Sequence, residues 1–227
     1  MTNTLIIYDC DGTLVDSAAL IIESMSRAFG DLGLVVPDQD AIRRVVGLSL
    51  TSAISRLQPD TDMDGLHRIA NAYKGAFAVT KFEPEFDQPL YPGARDCVRA
   101  MREMGAKTAI ATGKSRKGLA HVLERHEMHE LFDALITADD AQSKPHPEMI
   151  ELLQWECDAQ SERTVMVGDT SFDIEMGKAA KAFAVGVSWG NHPAEELTEA
   201  GADVVLDEFA ALEPWLAEIN LLGGLRR

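Results

Sequence analysis

Short apolar runs recur along the chain, separated by longer segments in which apolar residues have helical spacing. The first run, residues 5–8, ends at Asp9 and is followed by the turn former Gly12. Apolar runs of this length, bounded by turn residues, are typical of buried strands. The same pattern predicts five further strands, at residues 108–111, 134–137, 164–167, 184–187 and 203–206.

The segments between these predicted strands have the pattern of amphipathic helices. In residues 94–104, for example, Cys97, Val98, Met101 and Met104 share one apolar face. Alternation of strands and helices favours right-handed crossovers and a parallel sheet. We therefore predict an α/β, Rossmann-like core, in which ligands bind at the carboxyl ends of the strands.

One long segment, residues 17–86, interrupts this alternation. It has helical patterns at residues 18–32, 40–46, 48–57 and 64–79 and no convincing strand. Because it directly follows the first strand and its turn, we predict a helical cap domain inserted into the core. The core domain would then comprise residues 1–16 and 87–227. Hinges are expected at residues 14–17 and 83–93, where the second contains helix-breaking prolines.

Composition narrows the classes of partner. The 227 residues suit one large α/β domain or a core with a small second domain, and 46% of them are hydrophobic. A formal net charge of −16 argues against binding to nucleic acid or to an anionic membrane. A small anionic substrate would instead need locally concentrated positive charge. Length and composition leave a monomer and a homodimer equally open.

Three features predict a cytoplasmic protein. Cys10, Cys97 and Cys157 are far apart and odd in number, which argues against a disulfide framework or a zinc site. The N-terminal residues lack the basic stretch and the long apolar stretch that are typical of a signal peptide. No apolar run approaches the roughly 18 residues that a membrane span requires.

The first candidate chemistry lies in Asp9-Cys10-Asp11-Gly12-Thr13. Carboxylates at positions i and i+2 of an extended chain point the same way, and oxygen ligands suit Mg²⁺. Asp9 could attack phosphorus, while Asp11 could give a proton to the leaving group and take one from water. Alternatively, the segment is only a polar turn, because short motifs have false positives.

The second and third elements also lie at a strand end and a helix start. Thr112 and Gly113 end the second core strand, where a hydroxyl and backbone amides can hold phosphate oxygens. Lys144, in a proline-rich approach to a helix, could neutralise both Asp9 and a phosphoryl group. A lysine at a helix start is more commonly an ordinary surface residue.

The fourth element follows the predicted strand at residues 164–167. Asp169 could complete the oxygen shell of a metal ion. Asp173, one helical turn later, could ligate directly, bind through water or orient Lys144. The same residues could simply cap the following helix. Each element alone is a weak signal, but their common placement and order favour one site.

These elements resemble the four motifs of the haloacid dehalogenase-like hydrolase superfamily, and the resemblance spans nearly the whole chain. The helical insertion resembles the cap of its phosphoglycolate phosphatase-like and β-phosphoglucomutase-like branch. The resemblance implies that Asp9 is the nucleophile and Asp11 the acid/base residue. It also implies phosphate contacts from Thr112 and Lys144, and Mg²⁺ ligands from Asp9, the Asp11 backbone carbonyl and Asp169, with Asp173 in support.

Two differences from the sequence patterns of related dehalogenases and mutases narrow the expected activity. An acid at Asp11 argues against dehalogenation, and Gly168 stands where mutases of this type usually carry an acid. The predicted function is therefore Mg²⁺-dependent hydrolysis of a small phosphate monoester, such as a phosphoglycolate-like metabolite. The alternatives are a sugar-phosphate mutase and a catalytically silent phospho-ligand or protein-binding module. Arg43 and Arg44 are candidates for contacts with the leaving group, or they belong to a solvated helix face.

Overall fold

Six parallel strands form one sheet in the computed structural model, which describes residues 3–221. The remaining residues of the predicted core domain, 1, 2 and 222–227, lie outside the described part. The strands are β1 (Asn3–Tyr8), β2 (Lys107–Ala111), β3 (Ala134–Ile136), β4 (Ala159–Gly168), β5 (Phe183–Val187) and β6 (Val204–Leu206). Their order is β3-β2-β1-β4-β5-β6, which confirms the predicted α/β fold.

The strand β1 lies at the centre of the sheet and is buried on both faces. Leu5 and Ile7 pack into one hydrophobic cluster, whereas Ile6 and Tyr8 pack into a second. Alternate side chains of a strand point to opposite faces of the sheet. The helices on both faces of the sheet therefore pack against β1. Full burial of such side chains contributes about 1.5–3 kcal/mol each.

The predicted strands all exist, but β4 begins five residues earlier than its apolar run. Residues 159–163 alternate between exposed and half-buried positions, so no continuous apolar run marks them. The fully buried part of β4 is Thr164–Gly168, which is where the pattern predicted a strand.

Ten helices complete the described chain. The first four follow β1: α1 (Ala18–Asp31), α2 (Gln39–Arg43), α3 (Leu50–Leu57) and α4 (Met63–Thr80). The others alternate with strands: α5 (Ala94–Glu103), α6 (Arg116–Arg125), α7 (Glu148–Glu156), α8 (Ser171–Ala179), α9 (Ala194–Glu199) and α10 (Leu212–Glu218). Short 3-10 helices lie at Pro84–Phe86, His129–Leu131 and Phe209–Ala211. Within residues 3–221, no helix combines the length and apolarity needed to cross a bilayer.

The helices α1–α4 build a small hydrophobic cluster of their own. Its buried members are Ile22, Met25, Phe29, Ile42, Ile54, Leu66, Ile69 and Ala70. Asp38, Ser49 and Asp62 begin α2, α3 and α4 by accepting amide hydrogens with their side chains. The helix expected at residues 40–46 is shorter, since α2 ends at Arg43 and turns lead to the Ser49 cap. The boundaries of a separate cap domain at residues 17–86 stay a prediction.

Candidate active site

The strand order brings three predicted site residues to neighbouring positions at the carboxyl edge of the sheet. Asp9 follows β1, Thr112 follows β2 and Asp169 follows β4, and β1 pairs with both of the other strands. The backbone amide of Asp9 still donates to Val167 at 2.9 Å. The start of this loop is therefore held by the sheet itself.

Three buried carboxylates and one ammonium lie in contact beside this edge. Oxygens of Asp9, Asp169 and Asp173 lie within 4.8 Å of one another. The Nζ of Lys144 lies 2.8 Å from Asp9 Oδ1 and 2.6 Å from Asp173 Oδ1. Three negative charges against one positive charge leave an excess of two, which a divalent cation would balance.

The pKa values follow from this crowding. Burial, and then the neighbouring Asp173, raises the pKa of Asp169 to about 6. Burial also raises the pKa of Asp9 well above its ordinary value, although Lys144 opposes the shift. Burial alone would lower the pKa of Lys144, but Asp173 and Asp9 raise it above its ordinary value. Lys144 therefore stays charged, while burial makes the ionised forms of Asp9 and Asp169 less favourable.

Asp169 is fixed by Thr13, which belongs to the first motif, and by Asn191, which the sequence motifs did not include. Its Oδ1 accepts from the hydroxyl of Thr13 at 2.8 Å, and its Oδ2 accepts from the backbone and side-chain nitrogens of Asn191, both at 2.8 Å. Gly12 has a φ of +88°, and a Cβ there would overlap both Asp169 and Asn191. Gly12 therefore permits the turn after β1, and it also allows the loop after β1 to approach the loop after β4 closely.

Asp173 is held from two sides. Its Oδ1 accepts from Lys144, while its Oδ2 accepts from the backbone amide of Thr170 at 3.1 Å and from the Thr170 hydroxyl at 2.7 Å. Asp173 therefore contributes hydrogen bonds at the start of α8 and pairs with Lys144, and its supporting role toward a metal ion stays a prediction.

The carboxylate of Asp9 has the properties of a metal ligand or nucleophile. Both of its oxygens are buried, and neither accepts a hydrogen bond of good geometry in the described structure, despite the Lys144 ion pair. Buried polar atoms normally have hydrogen-bond partners, so a buried carboxylate whose one described partner is the ammonium of Lys144 can accept a further partner. Hard oxygen donors at this spacing fit Mg²⁺. The metal-binding role of the Asp11 backbone carbonyl stays a prediction.

Asp11 lies apart from the acidic cluster and faces a second lysine. Its Oδ1 accepts from the hydroxyl of Ser17 at 2.6 Å and lies 2.9 Å from the Nζ of Lys114. Lys114 was not among the predicted site residues, because nothing in its spacing distinguishes it from a surface lysine. The tertiary structure buries it against Asp11.

The segment between α2 and α3 lies directly over Gly113. A Cβ on Gly113 would overlap the backbone carbonyl oxygens of Gly47 and Leu48. Next to this contact, the backbone amide of Ser49 donates to the hydroxyl of Ser143 at 2.9 Å. Thr112, the other predicted phosphate contact, is buried, and its hydroxyl accepts from the Lys114 amide at 3.2 Å.

Further contacts hold α2 and α3 against the core. The ring of Phe172 packs beneath the guanidinium of Arg56 at 4.6 Å. Arg44 forms two hydrogen bonds with Glu196, at 2.7 and 3.0 Å. The apolar cluster at this interface comprises Val45, Leu48, Ala53 and Phe172.

A cavity of about 1220 Å³ lies between α1–α4 and the core. The core contributes Asp11, Gly113 and Lys114 to its wall. Neither Arg43 nor Arg44 is among the described residues that line it. Their predicted contact with a leaving group therefore stays a prediction, and here Arg44 pairs with Glu196 instead.

Comparisons with known proteins place the chain in a family. Residues 6–187 match the family model described as haloacid dehalogenase-like hydrolase. Probable phosphatase IndB of Dickeya dadantii (strain 3937) is 34% identical over 209 residues, covering 91% of this chain and 90% of that protein. Pyrophosphatase PpaX of Bacillus mycoides (strain KBAB4) is 29% identical, covering 95% and 97% respectively.

Solved structures agree on the fold. A hydrolase from Pseudomonas syringae has a TM-score of 0.85 at 23% identity, covering 96% of this chain and 99% of that one. A predicted phosphoglycolate phosphatase from Haemophilus somnus 129pt has a TM-score of 0.79 at 20% identity, covering 95% and 98%. At these identities the structures show a shared fold alone. The family-model match and the sequence relatives show that the chain belongs to the haloacid dehalogenase-like hydrolase family.

Proposed function

We propose that the protein is a Mg²⁺-dependent phosphatase that hydrolyses a small phosphate monoester, such as a phosphoglycolate-like metabolite, through an aspartyl-phosphate on Asp9. The observation that carries this proposal is the carboxylate of Asp9, which is buried without a well-aligned hydrogen bond beside Lys144. The phosphatase and pyrophosphatase names of the sequence relatives support the same reaction class.

In the first step, an oxygen of Asp9 forms a bond to phosphorus and the ester bond to the leaving group breaks. Asp11 protonates the departing oxygen. Lys144 balances the charge of Asp9 and of the phosphoryl group, while Thr112 and the amide of Gly113 hold phosphoryl oxygens. The placement of Asp9 and Thr112 at the carboxyl edge of the sheet, and of Lys144 beside Asp9, supports these roles.

In the second step, Asp11 removes a proton from water, which attacks phosphorus and releases inorganic phosphate and the Asp9 carboxylate. A bound Mg²⁺ would neutralise negative charge on the phosphoryl oxygens. Asp9, Asp169 and the backbone carbonyl of Asp11 would hold it, with Asp173 in support. Electrostatic stabilisation must be large, since unaided hydrolysis of phosphate monoesters can be slower by up to ~10²¹-fold.

The setting that we propose is the cytoplasm, with a small phosphorylated metabolite as the substrate. The net charge of −16 continues to argue against nucleic acid or an anionic membrane as partner. A monomer and a homodimer both stay open. Contacts of Arg43 and Arg44 with the leaving group belong to this proposal as untested predictions.

The direct experiment measures release of inorganic phosphate from a panel of metabolites, with Mg²⁺ or with EDTA. We expect turnover only with the metal, and a loss of at least about 10⁴-fold in Asp9→Asn because the nucleophile is removed. Asp60→Asn is the matched control, since Asp60 is an exposed aspartate outside the site. Undiminished turnover in Asp9→Asn would refute the mechanism.

The same panel separates the alternatives. A sugar-phosphate mutase would convert its substrate without net release of phosphate. A silent binding module would turn over none of the panel, including acetyl phosphate and p-nitrophenyl phosphate.

A further inference from the structure

The wall of the cavity has a charge opposite to that of the chain. The whole protein carries a formal net charge of −16. The charged residues of the cavity wall are nonetheless four lysines, Lys74, Lys81, Lys114 and Lys117, against three acids, Asp11, Glu124 and Asp139. Lysines usually lie in solvent, so their concentration around one cavity in an acidic protein indicates an anionic occupant.

Lys114 is the buried member of this set. Its side chain is 8% exposed, and its Nζ lies 2.9 Å from Asp11 Oδ1. The same ammonium lies 5.6 Å from the centre of the Phe77 ring, on α4. An ammonium has three donors, and the carboxylate of Asp11 is the acceptor that the structure describes for it. Lys114 therefore has donors left for an occupant of the cavity.

The two buried lysines differ in what they face. Lys144 contacts Asp9 and Asp173, both members of the acidic cluster, and so lies beside the phosphoryl group in the proposed reaction. Lys114 contacts Asp11, the residue proposed to protonate the leaving oxygen. Lys114 therefore lies on the leaving-group side of the reaction centre.

The helix α4 brings a further cation to the cavity. His67, Asn71 and Lys74 have the spacing i, i+4, i+7 and line the cavity together. Among residues 3–221, no carboxylate pairs with Lys74. Lys74 is exposed and lines the cavity, so its charge is available to an occupant.

We propose that Lys114 determines specificity by binding a second anionic group, a carboxylate or a phosphate, on the leaving part of the substrate. This inference rests on the proposed phosphatase function. Lys114 shares its ammonium between Asp11 and that anion, and Lys74, on α4, adds to the attraction. The enzyme then prefers phosphate monoesters with a charged leaving group over neutral ones of the same size.

Three two-carbon substrates test the preference: phosphoglycolate, 1,2-ethanediol bisphosphate and 2-hydroxyethyl phosphate. Their leaving groups end in a carboxylate, a phosphate and a hydroxyl, and the first two distinguish the sources of the anion. We expect kcat/KM of the wild-type enzyme to be about 10- to 100-fold higher for at least one anionic substrate, the gain typical of a charge-assisted hydrogen bond.

Lys114→Met should bring that ratio of kcat/KM values close to 1, and Lys114→Arg should keep part of the preference. Lys107→Met is the matched control, because Lys107 pairs with Asp133 at 2.9 Å at the beginning of β2, away from the site. The control should leave the ratio unchanged. Circular dichroism of each variant reports whether it is folded.

The outcomes separate the two proposals. If the wild-type enzyme hydrolyses no phosphate ester with Mg²⁺, the proposed function fails. If it hydrolyses all three substrates without preferring either anionic one, only the role of Lys114 fails. Equal losses on all three substrates in Lys114→Met would also overturn the inference, because they would mean that Lys114 only positions Asp11. If Lys114→Met does not fold, the ratio of kcat/KM for anionic and neutral substrates, measured in the wild-type enzyme and in Lys114→Arg, still tests the role of Lys114.

Discussion

Replacing Asp169 by asparagine should stabilise the metal-free protein while it abolishes hydrolysis. Burial and the neighbouring Asp173 raise the pKa of Asp169 from 3.8 to about 6. A gap of about 2 pKa units corresponds to roughly 3 kcal/mol of unfavourable free energy when the carboxyl group is ionised. Sites that gather like charges for function commonly lower stability in this way.

The pH dependence follows from the sign of the shift. A carboxyl group whose pKa is raised by folding binds protons more tightly in the folded protein. Its contribution to stability is present below pH 3.8 and is lost as the pH rises through about 6. The advantage of Asp169→Asn should therefore be up to about 3 kcal/mol at pH 7.5 and shrink to about 1 kcal/mol at pH 4.5.

Asparagine can keep the local hydrogen bonds. Its carbonyl oxygen can accept from Asn191, and its amide can donate to the hydroxyl of Thr13. Some loss of strength is expected, because hydrogen bonds to a charged group are stronger than neutral ones. A net gain of 1–3 kcal/mol corresponds to a rise in Tm on the order of 5 °C for a chain of this size.

The assay is thermal unfolding of both proteins in EDTA at pH 4.5 and 7.5, followed by addition of Mg²⁺ at pH 7.5. Mg²⁺ should raise the Tm of the wild-type protein more than that of Asp169→Asn, because binding to the folded state stabilises it. Asp64→Asn, in an exposed first turn of α4, serves as the control. A variant no more stable than wild type in EDTA at pH 7.5 would refute the reasoning, as would an equal margin at both pH values.

Four further substitutions test three other contacts. Lys144→Met leaves two buried carboxylates without their cation and should cost about 3–5 kcal/mol in urea unfolding with EDTA; an unchanged midpoint would contradict this. Gly113→Ala should lower kcat/KM at least ~10-fold and also lower stability, since its Cβ would overlap backbone atoms of Gly47 and Leu48 and displace the overlying loop; wild-type kinetics would exclude the contact. Arg44→Ala and Glu196→Ala should lower kcat/KM equally and by less than about 5-fold, because the shared pair is exposed; a larger loss in Arg44→Ala alone would indicate substrate binding.

Much of the fold could be predicted because a buried parallel strand has a local signature. Strands β1, β2 and β5 are buried along nearly their whole length, since helices cover both faces of the sheet, and each contains a run of apolar residues. The exposed beginning of β4 has no such pattern and was missed. The turns that replace the end of the second predicted helix lead to a segment that lies against Gly113, which is distant in the sequence. Periodicity does not contain that information.

The residues of the candidate site also differ in whether the sequence could identify them. Asp9, Thr112 and Asp169 could be identified because each follows a recognisable strand, and a parallel sheet collects the carboxyl ends of its strands at one edge. Asn191 and Lys114 could not be identified, because local sequence does not distinguish a functional loop asparagine, or a functional lysine before a helix, from an ordinary one. Their roles depend on which carboxylate they meet.

By itself, the sequence determined the alternation of strands and helices, the residues at the strand ends and the excess of negative charge. Those properties depend on local side-chain pattern and composition. Only the tertiary structure decided that Lys144 lies between Asp9 and Asp173, that Lys114 meets Asp11 and that lysines surround the cavity. Such pairings join residues 29 to 135 positions apart. They arise only when strand order and helix packing bring distant segments together.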